Sequence, residues 1–448
     1  MNTSTQKTLF QLCYPLFLHS IMGFGVLLVD TMIISAYSDN AAAAVNMANQ
    51  VLLVAYEFSV LLGVGGVILI AHHLGAGNEE KAKEVASIAI VGNAAFSFIV
   101  SIVLMAVGAY TLSWINTPAD IYDDALLYIY ICGSTLALNG FMLAAQHVLR
   151  GYGLTKIIFL LGVFSQIFYL SLEYVFILGI GPIEGMGVFG SALGTVCLRV
   201  AATLILFFVV LRKLRLSLVP KMSLAELRAL IKKLFLLSFP SISDNMAYGM
   251  YQLILLGFIA KMGVATVLSR GYTLIATAFF TVVIMVVSQG NEVLLGYRMG
   301  EGKSEEAYQR AIRSAFIAII LATALSVLFY FFSSTFFGLF TDDPEVHRIG
   351  RELLYWSIFL QPVFAFNAIL FHSLKAVGDV NWPVAVSQSI TWFISLPFAY
   401  IVAVHMEQGV VGIWKVLIFE ESLKSALMFY RWNSKRWHKY SLSLAAQT

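Results

Sequence analysis

Five carboxylates stand inside long apolar runs of this 448-residue chain: Asp30 in LLVDTMII, Glu57 in VAYEFSVLL, Glu173 in IFYLSLEYVF, Asp244 in FPSISDNMAY and Glu292 in SQGNEVLLG. Ionising an Asp at the centre of a bilayer costs on the order of 2.5–3.5 kcal/mol even on insertion scales, so an acid kept there holds a proton, pairs with a base or faces a cavity. Asp30 has no basic neighbour in sequence. Glu173 lies in a polar patch with Gln166, Tyr169, Ser171 and Tyr174, and Tyr169 and Glu173, four apart, share one helical face. Glu57 reads as a second proton site or a partner for a base. Asp244 follows Pro240, a helix-bending residue, and Glu292 lies where it can pair with Arg298 or cap a gate. The buried bases matter equally. Arg199 in TVCLRVAATL must find a carboxylate or carbonyls, and two readings stay open: a fixed pair with Glu173, or a Glu173 that shares a proton with Asp30 and is tuned by Tyr169. Lys415, Glu420, Glu421 and Lys424 cluster in one run, and the i, i+4 pair Glu420–Lys424 reads as a structural ladder. Tyr169, Tyr174 and Tyr248, close to acids, are candidates for cation–π contacts. His147 and His372 read as interfacial anchors. Cys13, Cys132 and Cys197 have neither paired nor metal-ligand spacing. No nucleophile–base pair or metal-binding motif stands at depth, so no enzyme, metal or organic cofactor is expected.

The elements that position these groups follow from composition. Hydrophobic residues make up 59% of the chain and charged residues 12%, about half the ~25% charge of ordinary soluble domains. That excludes a soluble enzyme, a disordered chain and a nucleic-acid binder on a single anchor. A helical span needs about 20 mostly apolar residues. Cutting at charge and turn clusters leaves candidates near 10–36, 42–72, 86–113, 123–149, 156–180, 187–211, 234–260, 266–297, 308–338, 347–374, 382–404 and 409–431. Backbone groups must be paired in lipid, so these runs are helices. The expectation is an all-α polytopic membrane protein with twelve transmembrane helices. The N-terminal stretch reads as a first span and not as a removed signal. Most lysines and arginines fall in the loops on one side, against Lys261, Arg348 and Arg351 on the other. This places both termini in the cytoplasm, in a multi-pass protein of the cell inner membrane.

The two halves repeat. Pro15 and Pro240, Gly77 and Gly302, His147 and His372, and Gly153 and Gly378 are each 225 residues apart. Six spans per half give both halves the same orientation, hence two pseudo-symmetric six-helix bundles with a cleft between them, an arrangement common in transporters. The expected boundaries are 1–211 for the first bundle, 212–233 for a basic cytoplasmic linker and 234–448 for the second. The linker ends in the amphipathic stretch SLAELRALIKKLF, which reads as an interfacial tether. Nothing in this design requires oligomerisation, and a monomer is expected.

Four segments carry a resemblance: LCYPLFLHSIMGFGVLLVDTMIIS, HHLGAGNEEKAKEVA, LRGYGLTK and GVVGIW, the first three with counterparts in the second half. The chain resembles the multidrug and toxic compound extrusion family of secondary transporters, and is more similar to its DNA-damage-inducible-exporter-like branch. The resemblance implies export of amphiphilic or cationic organic molecules in exchange for H⁺ or Na⁺ by alternating access, with small molecules and the lipid bilayer as partners and no nucleic acid. It places Asp30 at the coupling carboxylate. It puts Tyr169 and Glu173 where that branch carries Asn and Asp, and Thr195 in the same cluster. The Na⁺-coupled branch keeps acids on the seventh and tenth spans; here Tyr248 stands about where the first would fall, Asp244 lies one turn earlier, and the tenth span has no acid. The expected cation-coupling residues are therefore Asp30, Glu173, Tyr169, Thr195 and Glu57, with proton coupling favoured. The expected substrate contacts are Asp30, Asp244, Tyr174, Tyr248 and Glu292. A lipid-linked sugar flippase of the wider superfamily is the alternative, and the shortage of arginines within the spans speaks against it.

Overall fold

The computed structural model describes residues 7–217 and 222–440; the chain ends and positions 218–221 of the expected linker lie outside the described residues. The described chain is an all-α polytopic membrane protein. Six helical runs fill the first half: Leu9–Tyr37, Asp39–Gly75, Glu79–Trp114, Ala119–Ser134 continued by Leu136–Gly151, Thr155–Leu178 and Gly187–Lys213. Six fill the second: Leu224–Ala260, Val264–Gly300, Ser304–Phe331, Pro344–Ala376, Asn381–Ala403 and Gly409–Asn433. Among the described residues, nine are long and apolar enough to cross a membrane, or ten with the bent fourth run counted. Of the other two, the seventh carries Asp244 in a polar stretch and the twelfth carries Lys415, Glu420, Glu421 and Lys424. Large apolar side chains such as Phe164, Phe331 and Phe393 are exposed, as lipid-facing positions should be.

Local chemistry sets the ends. Asn78 accepts the Lys81 N–H ahead of Glu79 and Glu80, opening the third span, and Asp343 with Pro344 behind it opens the tenth. Each half begins with a capping box. Thr8 and Gln11 bond reciprocally before the first span, as Ser223 and Glu226 do before the seventh. The repeated glycines have a reason in backbone geometry. Gly77 and Gly302 lie at φ +76° and +75°, and Gly153 and Gly378 at +68° and +91°. Each is followed by an amide that closes back on the preceding helix, as in Asn78 N–H to His73 C=O at 2.8 Å and Lys303 N–H to Arg298 C=O at 2.9 Å. This is the left-handed helix stop that glycine makes without strain.

Contacts divide the chain into two compact units, Met1–Ile242 and Ser243–Thr448. In the first, span one packs on span five and span five on span six, while span three packs on spans two and four. In the second, span ten packs on spans eight, nine and twelve. The stretch expected as a separate interfacial tether is instead the start of the seventh helix, which runs unbroken from Leu224 to Ala260. Its residues from Leu224 to Ser238 include no glycine or proline that would stop it.

Two spans of the first unit are interrupted in mid-course. Span two breaks at Ser59–Val60 and span four at Thr135, where its halves meet at 54°. A break in lipid frees backbone groups that must find other partners. Span three supplies them from one face. Asn93 donates to the Ser59 carbonyl at 2.6 Å and to the Gly140 carbonyl at 2.8 Å, and accepts the Leu62 N–H at 2.9 Å. Ser97 adds a bond to Ser59, and Ser101 bonds the Gly133 carbonyl at 2.7 Å. Spans eight and ten of the second unit are continuous helices. There the irregularity is in span eleven, whose π-helical turns are Thr391–Ser395 and Ile401–His405, while span five has one at Tyr174–Leu178.

Candidate cation-coupling site

Span one presents Asp30 to span five, and the Tyr169 hydroxyl donates to Asp30 Oδ1 at 3.1 Å. One turn on, Glu173 is fully buried and its carboxyl lies within hydrogen-bonding reach of Asp30. Ser191 on span six donates to Glu173 Oε1 at 3.3 Å, and Glu173 Oε2 has no donor among the described residues. Thr195, one turn beyond Ser191, lies within side-chain hydrogen-bonding reach of Tyr169, Tyr128 and Cys132. Gly194 makes the room: a Cβ there would stand 2.9 Å from Glu173 Oε1. Four of the expected coupling residues, Asp30, Tyr169, Glu173 and Thr195, thus come together. An ionised carboxylate only accepts hydrogen bonds, so a bond between Asp30 and Glu173 needs one proton between them.

Arg199 is engaged elsewhere. Its guanidinium, on a residue only 4% exposed, donates to the Cys132 carbonyl, to Thr135 Oγ1 at 2.7 Å and to the Tyr56 hydroxyl at 2.6 Å. It also lies over the Tyr56 ring, 5.2 Å from the centroid. Of the two partners expected for it, carbonyl and hydroxyl oxygens are the ones found, and no Glu173 pair forms. The break in span four provides the carbonyl. Glu57, one residue after Tyr56, is half-buried and engaged by neighbours, outside the Asp30 group.

In the second unit the residues expected to meet substrate fall into separate small networks. Trp392 donates to Gln388 Oε1 at 3.0 Å, and Gln388 Nε2 donates to Asp244 Oδ1. Arg270 donates to Gln252 at 2.9 Å, and Gln252 donates to the Tyr248 hydroxyl at 2.6 Å. Tyr248 is exposed, as is Tyr174 of the first unit. Glu292 is buried on span eight and engaged. A denser network centres on Glu420, buried on span twelve. It accepts Lys424 at 2.6 Å, Thr391 at 2.7 Å, Ser395 at 2.5 Å and Tyr251 at 3.1 Å. Gln388, Thr391, Ser395 and Tyr251 are not among the residues expected from sequence. One signal pointed to this region: 225 residues separate Thr195 from Glu420 and Arg199 from Lys424.

Twelve helical runs built on a repeat, with carboxyls buried among them, are the architecture of a polytopic membrane transporter. Comparison with known proteins makes the class definite. The MatE family model matches residues 15–175 and again 240–401, once per half. The chain belongs to the MatE family, whose members are transporters and not enzymes. It is 29% identical to the uncharacterized transporter YisQ of Bacillus subtilis, over 96% of this chain and 94% of that one. It is 21% identical to the probable multidrug resistance protein NorM of Thermotoga maritima, over 97% and 93%. A crystal structure of the Vibrio cholerae MATE transporter VcmN in the bent form superposes with a TM-score of 0.86 at 17% identity, covering 99% of both chains.

Proposed function

We propose that the protein is a proton-coupled antiporter of the cell inner membrane. It expels amphiphilic or cationic organic compounds as a monomer with both termini in the cytoplasm. The observation that carries this reading is the Asp30–Tyr169–Glu173 group, two carboxyls within hydrogen-bonding reach of each other and joined through Tyr169, while Arg199 is occupied by neutral oxygens. A proton held there is the natural exchange partner for a substrate cation that needs Asp30. Glu173 and Asp30 hold the proton, Tyr169 and Thr195 orient the pair, and Glu57 adds a further carboxyl to the same unit. Asp30 and the exposed ring of Tyr174 in the first unit, and Asp244, Glu292 and the exposed ring of Tyr248 in the second, are each unit's own substrate contacts, by charge and cation–π attraction. The similarity to NorM, a probable multidrug resistance protein, supports organic drugs as the class carried.

The test is transport by the purified protein in liposomes, driven separately by a pH gradient and by a Na⁺ gradient, with a fluorescent organic cation as cargo. The expected result is uptake driven by the pH gradient alone, lost in Asp30→Asn protein that still inserts and folds. Transport driven by Na⁺ and indifferent to pH refutes proton coupling.

A further inference from the structure

The four donors on Glu420 satisfy that carboxylate and hold it beside Lys424, which is 3% exposed. Glu421, the next residue, is left without an equivalent. Its Oε1 is 3.4 Å from Lys424 Nζ, and its Oε2 accepts from Asn367 Nδ2 at 2.8 Å. One ammonium thus faces two carboxyls, and one negative charge is surplus. An independent observation marks the same place: Asn367 is 7% exposed, its amide is aimed at Glu421, and its Oδ1 has no partner among the described residues.

We infer that Glu421 is a second proton-binding site, in the second unit, so that each turn of the transporter moves two protons. The inference rests on the antiport reading and extends it to residues outside the Asp30 group. Ionised Glu421 accepts the Asn367 N–H. Protonated Glu421 donates, and a flip of the amide brings the idle Asn367 Oδ1 round to accept, so both states are satisfied by one side chain. A Na⁺ ion does not fit the same role, because the Lys424 ammonium lies against both carboxylates and repels a second cation at that distance. The other groups acting on the triad are Tyr248, Tyr251 and Asp244 of the seventh span, and Lys375 of the tenth acts on Asp244. Tyr251 is committed to Glu420 and Asp244 to Gln388. Lys424 therefore acts as a resident countercharge for Glu420, and Glu421 carries the exchangeable proton.

The full-length protein in liposomes, titrated while its infrared carboxyl stretch is followed, tests this. Glu421→Gln should lose one protonated-carboxyl band that protein carrying both Asp30→Asn and Glu173→Gln retains, and Glu421→Asp should shift that band without abolishing it. The proton-to-substrate ratio, from the pH gradient that balances an opposing substrate gradient, should fall from two to one in Glu421→Gln. A Glu421→Gln spectrum identical to that of the unaltered protein overturns the proposal. If the band is present but the unaltered protein shows no pH-driven transport, the antiport reading fails and proton binding at Glu421 stands.

Discussion

The two units place a cation at the same point of the repeat and neutralise it by different means. Arg199 and Lys424 are 225 residues apart, each on the last span of its half. In the first unit span four is broken, and the freed Cys132 carbonyl and Thr135 hydroxyl receive Arg199. In the second unit span ten runs on as one helix through Pro362, and Lys424 takes its anion from its own helix, one turn back at Glu420. The polar face of span three follows the same division. Asn93, Ser97 and Ser101 serve the breaks of spans two and four, whereas the equivalent positions of span nine are Ala318, Ala322 and Ser326. Where the helices are continuous, alanine suffices. The lesson is that a helix break supplies the counter-group that a carboxylate otherwise must. Because Arg199 uses the break, Asp30 and Glu173 remain without a base.

The largest expected effect contrasts the two cations. Lys424→Met strands two buried carboxylates and should cost about 3–5 kcal/mol. Arg199→Met removes bonds to neutral oxygens and should cost about 1–3 kcal/mol. Thermal unfolding in lipid compares them, and equal losses would dissolve the distinction. Next, Asn93→Leu removes three bonds to backbone groups, one of them the bond to the Leu62 N–H at the break, and should cost about 2–3 kcal/mol. Asn291→Leu, on continuous span eight, loses only bonds to Ser373 and Ser314 and should cost about 1 kcal/mol. A larger loss at Asn291 would mean that the break is not what Asn93 supports. Gly194→Val drives a side chain into Glu173 and should cost about 1–3 kcal/mol. It should also shift the pH dependence of efflux. Gly257→Val, in open space on the seventh span, is the control and should leave efflux intact.

The smallest effect separates the two capping boxes. Hydrogen bonds from Ser223 hold Glu226 below the usual carboxylate range. A lowered folded value means that this contribution is present above the ordinary carboxylate value and is lost as pH falls through the lowered one. Gln11 does not titrate. Acidification should therefore speed hydrogen exchange, corrected for intrinsic rates, at the start of the seventh helix and not at the start of the first.

Much of this is legible in sequence, for identifiable reasons. Spans and repeat follow from composition and a constant offset, and the Tyr169–Glu173 face follows from a four-residue spacing. The Glu420–Lys424 pair is local and equally readable. Partners across helices are not. The break at Thr135 carries no proline, so the carbonyl that receives Arg199 is invisible until the helices are packed. Thr391 and Ser395 reach Glu420 from a π-helical stretch of span eleven, which departs from the 3.6-residue period that assigns faces. The stretch before the seventh span marks another limit, since an amphipathic pattern does not say whether a helix stops before the next span begins.

The chain from Trp392 through Gln388 to Asp244 has an optical consequence. An indole N–H can only donate, so it fixes Gln388 Oε1 as acceptor and turns the amide's N–H toward Asp244. The polarity of the chain is thereby set from its aromatic end. A substrate cation or a proton arriving at that carboxylate changes the field along the chain, and the indole senses it. Trp392, read as the difference in emission from a Trp392→Phe protein that keeps the other six tryptophans, is thus a built-in fluorophore that reports on Asp244 without any label.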